Sequence, residues 1–167
     1  MCMQLTFSLA TLSDAPFIES LLMAGARKGQ FNSRLLSHRD RVRKDVQSMI
    51  AQQRLLDSPL YAEAMICKVG QERAGFSIMC GVTDFPNGIE IYALGVHKAF
   101  RGQGLGSKLL DELLYHWLAR RDIYAQCLAA SEQMFQMLLH RHFEFLFTLP
   151  GGARVLHCQQ LPHRARA

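Results

Sequence analysis

The stretch that decides the fold is residues 89–110, Ile89-Glu-Ile-Tyr-Ala-Leu-Gly-Val-His-Lys-Ala-Phe-Arg-Gly-Gln-Gly-Leu-Gly-Ser-Lys-Leu-Leu110. It begins as an apolar run typical of a strand and ends as the start of a helix whose leucines recur at helical spacing. The junction between them, residues 101–106, is rich in glycine, which lets backbone approach a ligand closely. Because the following helix presents unpaired N–H groups to this junction, we expect it to bind a phosphate group.

Two common phosphate-binding patterns do not fit this junction. The Walker pattern ends in Gly-Lys-Ser/Thr, whereas residues 106–108 read Gly-Ser-Lys. The dinucleotide fingerprint needs Gly-x-Gly-x-x-Gly at the start of a βαβ unit, but the glycines at 102, 104 and 106 are spaced differently. The junction therefore predicts a phosphate loop of another kind, with a plain tight turn as the alternative.

Length and composition indicate an ordinary globular protein. The chain has 167 residues, of which 49% are hydrophobic and 20% charged, enough for one domain with a real core. It has no apolar run that could span a bilayer and no signal-peptide pattern at its start, so we expect a cytoplasmic protein without membrane contact. The five cysteines are scattered, which favours reduced thiols and no metal site.

The chain is moderately basic, with a net charge of +5 and a pI of about 9.1, which suits an anionic cofactor. Many basic residues fall between Arg34 and Arg54. We interpret this run as a solvated helix face, with an acidic acceptor or protein partner as the alternative. Nucleic-acid binding is disfavoured because basic and aromatic residues are not interleaved. A homodimer is left open.

The hydrophobic pattern predicts the element order β-α-α-β-β-β-α-β-α-β-β in one domain, residues 1–161. Ser13 or Asp14 is expected to cap the first helix, and Ser131 the last. The last six residues, 162–167, form a basic tail that we expect to be disordered. The predicted segments are strands at 5–9, 60–69, 74–82, 89–96, 123–129, 143–149 and 154–160, helices at 38–55, 104–120 and 131–141, and a loop at 30–37.

The stretch at 89–110 resembles the central motif of the GNAT acetyltransferase superfamily. Arg101, Gly104 and Gly106 match its signature, Gln/Arg-x-x-Gly-x-Gly/Ala, while Lys98 stands where the family usually has proline. The resemblance covers nearly the whole chain. It implies an α/β fold of three layers with a mixed, mostly antiparallel sheet of about six to seven strands, splayed at the central strand, and about four helices.

The resemblance also implies an activity and a cofactor. The chain would be an N-acetyltransferase that transfers acetyl from acetyl-CoA (coenzyme A) to a primary amine of a small molecule or protein, by direct attack in a ternary complex. Pantetheine contacts would come from the strand end and pyrophosphate contacts from the junction, with Ser131 as a further contact. The expected cofactor-binding residues are Leu94, Gly95, Val96, Arg101, Gly102, Gln103, Gly104, Leu105, Gly106, Ser107 and Ser131.

Transfer to an amine requires a base and an oxyanion donor. An ammonium group has a pKa of about 10.4, so a protein group must take its proton. Glu90 lies where several family members carry an acidic residue, with a surface glutamate as the alternative interpretation. The Val96 N–H is the expected oxyanion donor, by resemblance. Tyr92, on the face of Glu90 by strand alternation, and Phe31 are expected to line the substrate pocket.

The proton donor for the leaving thiolate is not identified by the sequence. The family pattern Asn-x-x-Ala-x-x-Leu-Tyr-x-x-x-Gly-Phe aligns with residues 131–143, where Ser131 replaces the asparagine, Leu138 the tyrosine and His142 the glycine. Ser131 is a weak candidate for a catalytic role. Water, Tyr124, His140 and His142 are the other candidates, and Cys127 is expected to be inert. The missing tyrosine favours one alternative function, a non-catalytic acyl-CoA-binding regulatory protein.

Overall fold

A computed structural model describes residues 4–160, which form seven strands and five α-helices. The strands are β1 (Leu5–Leu9), β2 (Ala62–Val69), β3 (Glu72–Gly81), β4 (Gly88–Val96), β5 (Asp122–Cys127), β6 (Glu144–Thr148) and β7 (Arg154–Cys158). The helices are α1 (Ala15–Arg27), α2 (Arg34–Ser37), α3 (Arg39–Gln52), α4 (Leu105–Trp117) and α5 (Glu132–Leu139).

All seven strands form one sheet in the order β1-β2-β3-β4-β5-β7-β6. Every neighbouring pair is antiparallel except β4 and β5, which are parallel. Helices cover both faces, so the molecule has three layers. The predicted fold class, a mixed and mostly antiparallel sheet between helices, is confirmed.

The core is divided by the sheet. On one face, α1 and α3 pack on β2 and β3 around Ile18, Val46 and Phe76. On the other face, α4 and α5 pack on β4, β5 and β7 around Leu110 and Leu138. The apolar stripe predicted for α4 is the buried one, since its leucines and Trp117 are buried. The two faces of β4 therefore belong to different cores.

Three local expectations need correction. The predicted loop at 30–37 contains a single helical turn, α2. The Asp14 carboxylate does not cap α1, because it accepts hydrogen bonds from the Thr11 N–H at 2.8 Å and from Arg73 at 2.6 Å. Ser131 precedes α5 but makes no side-chain cap, because the short 3₁₀ turn before it gives it a backbone conformation outside the extended region typical of a cap.

The basic residues of α3 are largely paired within the chain. Arg39 and Arg43 both bind the buried Glu19 carboxylate of α1, at 3.1 and 3.2 Å. These pairs hold the pKa of Glu19 below its usual value, with the Arg43 hydrogen bond as the first cause. Arg41 binds Asp57 at 3.0 Å. The side chains of Arg39, Arg41 and Arg43 are also half exposed or more, in agreement with the interpretation of this run as a solvated helix face.

The remaining sequence expectations concern absences and the tail. No helix among the described residues is long and apolar enough to cross a membrane. Four cysteines are buried free thiols, and residues 4–160 hold no cluster of three or more side chains that could bind a metal. The tail at 162–167 lies outside the described residues, so its expected disorder and the boundary at residue 161 stay predictions.

His142 follows α5 in the left-handed region, with φ of +64°. Glycine occupies such positions without strain, whereas a branched side chain costs about 1–2 kcal/mol there. We expect His142→Val to lower the free energy of unfolding by about 1–2 kcal/mol and His142→Gly to raise it by up to about 1 kcal/mol. Urea denaturation measures both. Equal urea midpoints for the Val and Gly variants would contradict this account.

Candidate active site

The two central strands separate partway along their length. β4 and β5 pair only from Gly88–Asp122 to Ile91–Ala125. Directly after Ile91, β4 carries a bulge in its pairing with β3. Met79 of β3 faces Ile91, but the adjacent Ile78 faces Ala93, which leaves one residue of β4 without a partner. Tyr92 is the extra residue. A bulge bends a strand and increases its twist, so β4 diverges from β5 beyond this point.

A cleft of about 480 Å³ occupies the gap. One wall is the end of β4 and the glycine-rich junction, and the opposite wall is the end of β5 with the start of α5. The loop after α1 closes one side. Its lining includes Phe31, Tyr92, Leu94, Gly95, Val96, Arg101, Gly102, Gly104, Leu105, Gly106, Ser107, Gln126, Cys127, Ser131, Met134 and Met137. The cleft thus gathers residues that the sequence predicts as cofactor-binding.

Backbone polar groups of β4 face this cleft. The His97 N–H donates to the Ala74 carbonyl of β3 at 2.8 Å. Alternation along an antiparallel ladder then turns the N–H and C=O groups of Val96 and Leu94 away from β3, toward the gap. β5 does not pair with these residues. The strand therefore presents a row of donors and acceptors to whatever fills the cleft.

The glycine-rich junction has the backbone conformation that its sequence requires. Gly102 and Gly104 both have φ of +74°, a region that other residues enter with strain. Gly104 is the N-terminal flanking residue of α4, so the first free N–H groups of that helix lie at the cleft wall. Gln103 is not among the lining residues, and its side-chain amide donates to the Ala99 carbonyl at 3.3 Å.

Three other predicted cofactor residues make contacts within the protein. The Arg101 Nε donates to the Val96 carbonyl at 3.0 Å, folding its side chain over the end of β4. Gly95 leaves room for Phe76, since a Cβ at residue 95 would lie 2.5 Å from that ring. The Ser131 hydroxyl donates to the Gln30 carbonyl at 3.1 Å and so joins the two loops on either side of the cleft.

Glu90 and Tyr92 lie on β4 near the point where it separates from β5. Glu90 is half-buried on β4, and burial raises the pKa of its carboxyl above the usual value, while the nearby Gln126 side chain opposes that shift. Glu90 is not among the lining residues, but Gln126 is. Tyr92 lines the cleft and is 44% exposed, and burial raises its pKa, so it stays a neutral phenol.

Phe31 lines the cleft as predicted, held in a notch on α1. Gly25 forms that notch, because a Cβ there would lie 2.4 Å from the Phe31 ring. The ring also packs against the core of the α1 and α3 face. Phe31 is therefore a fixed wall of the cleft.

Of the candidate proton donors that the sequence left open, Ser131 lines the cleft, with its hydroxyl donated to the Gln30 carbonyl, whereas the three other side chains do not line it. Leu138 is fully buried in the core, so α5 offers no hydroxyl at that position. Tyr124 stacks on Phe85 with ring centroids 4.5 Å apart and does not line the cleft, nor do His140 and His142. Cys127 does line it, but burial raises the pKa of its thiol to about 11. An inert thiol remains the interpretation.

Sequence reasoning missed two features of the site. Gln126 gave no signal as a single glutamine inside a predicted strand. Arg141, just after α5, binds Asp111 of α4 at 2.6 Å and also the Ser107 hydroxyl. It thereby fixes α5 against the first turns of α4, next to the glycine-rich junction. Contacts so distant in sequence leave no local pattern.

Comparison with known proteins identifies the family to which this site belongs. The model of the acetyltransferase (GNAT) family matches residues 32–145, more than half of the chain. A comparison with curated protein sequences finds no match.

Several solved structures share the fold. An acetyltransferase from Thermus thermophilus superposes with a TM-score of 0.68 at 16% identity, over 93% of this chain and 96% of that one. The yncA structure from Salmonella typhimurium, with its cofactor acetyl-CoA, gives 0.72 at 15% identity over 98% of each chain. A mutant of the spermidine N-acetyltransferase SpeG from Vibrio cholerae gives 0.70 at 14% identity over 94% of each.

The close contact between Gly25 and Phe31 predicts how a substitution at residue 25 changes stability. Gly→Ala inside a helix ordinarily stabilises a protein by about 0.5–1 kcal/mol. Here the added Cβ would collide with Phe31, so we expect Gly25→Ala to destabilise the protein by about 1–3 kcal/mol. The double variant Gly25→Ala/Phe31→Ala should recover the ordinary helix benefit relative to Phe31→Ala alone. Thermal unfolding of the four proteins measures both differences, and additive effects would refute the collision.

Proposed function

The chain belongs to the acetyltransferase (GNAT) family, and we propose that it transfers an acetyl group from acetyl-CoA to a primary amine within a ternary complex. The observation that carries the proposal is the gap between β4 and β5. It places the backbone N–H groups of Leu94 and Val96, the Leu94 carbonyl, the glycine-rich junction and the start of α4 around one cleft. Acetyl transfer from acetyl-CoA is the family's reaction, so the finer claims concern the acceptor and the residues.

The residues of the cleft fit coenzyme A. The junction offers helix N–H groups and two glycines with positive φ, an arrangement suited to a pyrophosphate. The unpaired edge of β4 suits a pantetheine arm, whose amides need donors and acceptors. When bound, the coenzyme supplies the acetyl group as a thioester. Leu94, Gly95, Val96, Ser131 and residues 101–107 would hold it, although Gln103 stands back from the cleft.

The Val96 N–H is the proposed donor to the carbonyl oxygen on which negative charge develops. Its orientation toward the gap supports the assignment, because a backbone N–H held by the sheet needs no reorganisation to act. Leu94 presents its N–H on the same edge.

Glu90 is the proposed general base, acting directly or through water. Its carboxylate would take the proton that the acceptor ammonium must lose before attack. Burial raises the pKa of Glu90, which brings it closer to the pKa of the group it deprotonates. Water is the proposed proton donor to the leaving thiolate, because Leu138 occupies the tyrosine position of the family pattern.

The acceptor is proposed as a primary amine of a small molecule or a protein. Tyr92 and Phe31 would form the apolar part of its pocket. The pairing of Arg39, Arg41 and Arg43 with carboxylates weakens the alternative of an acidic acceptor drawn by α3. A cytoplasmic location and a homodimer stay predictions.

The second candidate function is a non-catalytic acyl-CoA-binding regulator. The buried Leu138 is the observation that favours it, because the tyrosine of the family pattern is missing. The two functions differ in turnover and share coenzyme binding.

Glu90→Gln tests the base. We expect kcat for thiol release over a panel of amines and peptides to fall at least about hundredfold, since general-base catalysis contributes about 10²–10⁴-fold. Affinity for acetyl-CoA, measured by calorimetry, should not change. Glu72→Gln, at an exposed carboxyl group on β3, is the matched control. Undiminished turnover in Glu90→Gln would refute the base, and tight acetyl-CoA binding with no turnover on any acceptor would favour the regulatory function.

Gly104→Ala tests the junction. Forcing alanine to a φ of +74° costs about 1–2 kcal/mol or moves the loop, so we expect acetyl-CoA affinity to fall about tenfold. Gly152→Ala is the control, because Gly152 has a φ of +85° in a turn that does not line the cleft. It should lose similar stability and keep its affinity. Equal affinities for the two variants would contradict the proposed coenzyme site.

A further inference from the structure

We propose that Gln126 is a positioning residue for Glu90: its side-chain amide donates a hydrogen bond to the Glu90 carboxylate and aims it into the cleft where β4 and β5 part. This inference rests on the proposed role of Glu90 as the base. It concerns a residue that lies on the other strand of the splayed pair and has no counterpart in the sequence motif.

The faces of the two strands place these side chains together. Ile89 and Ile91 of β4 point into the core under α4 and α5, as do Ile123, Ala125 and Cys127 of β5. By alternation, Glu90 and Gln126 both point to the opposite face. Glu90 lies beside Tyr124 in the parallel ladder, so Gln126 is its diagonal neighbour. Strand spacings put their Cβ atoms about 8 Å apart, which two long side chains span.

The surroundings make this amide the polar partner that Glu90 needs. Glu90 is half-buried, and its carboxylate forms no ion pair among the described residues. A half-buried carboxylate without a donor loses hydration and gains a higher pKa. The Gln126 side chain, on the same face and diagonal to Glu90, acts against that shift. The amide thus keeps the base ionised at lower pH and fixes its direction.

Gln126 also connects the base to the cleft. It is exposed and lines the cleft, whereas Glu90 does not. It stands one residue past the last β4–β5 pair, on the rim of the gap. An amide that donates its N–H to Glu90 keeps its carbonyl oxygen as an acceptor, and an acceptor ammonium in the cleft could donate to it. The same side chain would therefore orient the base and receive the amine.

Other titratable groups face this region, and the test must distinguish their titration from that of Glu90. Burial raises the pKa of the Cys80 thiol of β3 to about 12 and also raises the pKa values of Tyr92 and Tyr124, so all three stay neutral near pH 7. The Asp45 carboxylate of α3, near Cys80 and Tyr92, is held by Arg41 at 3.5 Å. His157 stacks on the far side of Tyr124 and lies 3.7 Å from Asp122.

The direct test is a titration of the Glu90 carboxyl carbon by NMR in the whole protein, without ligand. Gln126→Met keeps the length of the side chain and removes its donor. Because the lost hydrogen bond stabilised the ionised form, we expect the Glu90 pKa to rise by about 0.5–1 unit. Gln71→Met, in an exposed turn, should leave it unchanged. An unchanged Glu90 pKa in Gln126→Met overturns the inference whether or not Glu90 is the base.

The kinetic test uses the amine that gives the highest turnover in the panel. The acidic limb of kcat/KM, where Glu90 loses its proton, should move to higher pH in Gln126→Met by the amount seen in the titration. A merely structural role would lower the rate equally at every pH and would overturn the inference. In Glu90→Gln the limb should disappear. If it persists there, the proposed base fails while the titration still decides the role of Gln126.

Discussion

The site depends on the point at which hydrogen bonding between β4 and β5 stops. A sheet ordinarily satisfies the backbone of each inner strand on both sides, and an unpaired inner edge is costly unless something replaces the missing strand. Here the bulge at Tyr92 bends β4 away just after the Ile91–Ala125 pair. The edge that results carries polar groups in a fixed order. A bound ligand with its own amide groups can form hydrogen bonds with them. The unpaired edge of β4 therefore makes the gap suitable for binding such a ligand.

The neighbouring elements keep this gap from closing. Phe76 fills the space beside Gly95, so β4 is held against β3 rather than drawn toward β5. Arg141 fixes α5 to the first turns of α4, and Ser131 joins the β5–α5 loop to the loop after α1. These contacts involve β4, α5 and the loop after α1, all of which contribute lining residues to the cleft. The site is therefore held by parts of the chain that do not themselves carry chemistry.

Local patterns in the sequence predicted most of the fold, because strand alternation, helical spacing and glycine junctions are properties of short segments. The junction at 101–106 also pointed to the cleft, because the strand before it and the helix after it match the family motif over residues 89–110. The bulge, the notch at Gly25 and the partner of Glu90 were not predictable in this way. Each depends on which strand or helix lies alongside, and only the assembled sheet brings Gln126 next to Glu90.

The last turn of α5 shows how the fold keeps a geometry while its residues change. His142 adopts a φ of +64°, the conformation natural to the glycine of the family pattern, and Leu138 fills the core where that pattern has tyrosine. The turn keeps a conformation that suits glycine, but position 138 offers no hydroxyl. A titratable carboxyl and a hydrogen-bonding amide lie instead on the facing strands, at Glu90 and Gln126. The proposed catalytic groups therefore lie on the β4–β5 side of the cleft, and α5 contributes the side chains of Met134 and Met137 to the opposite wall.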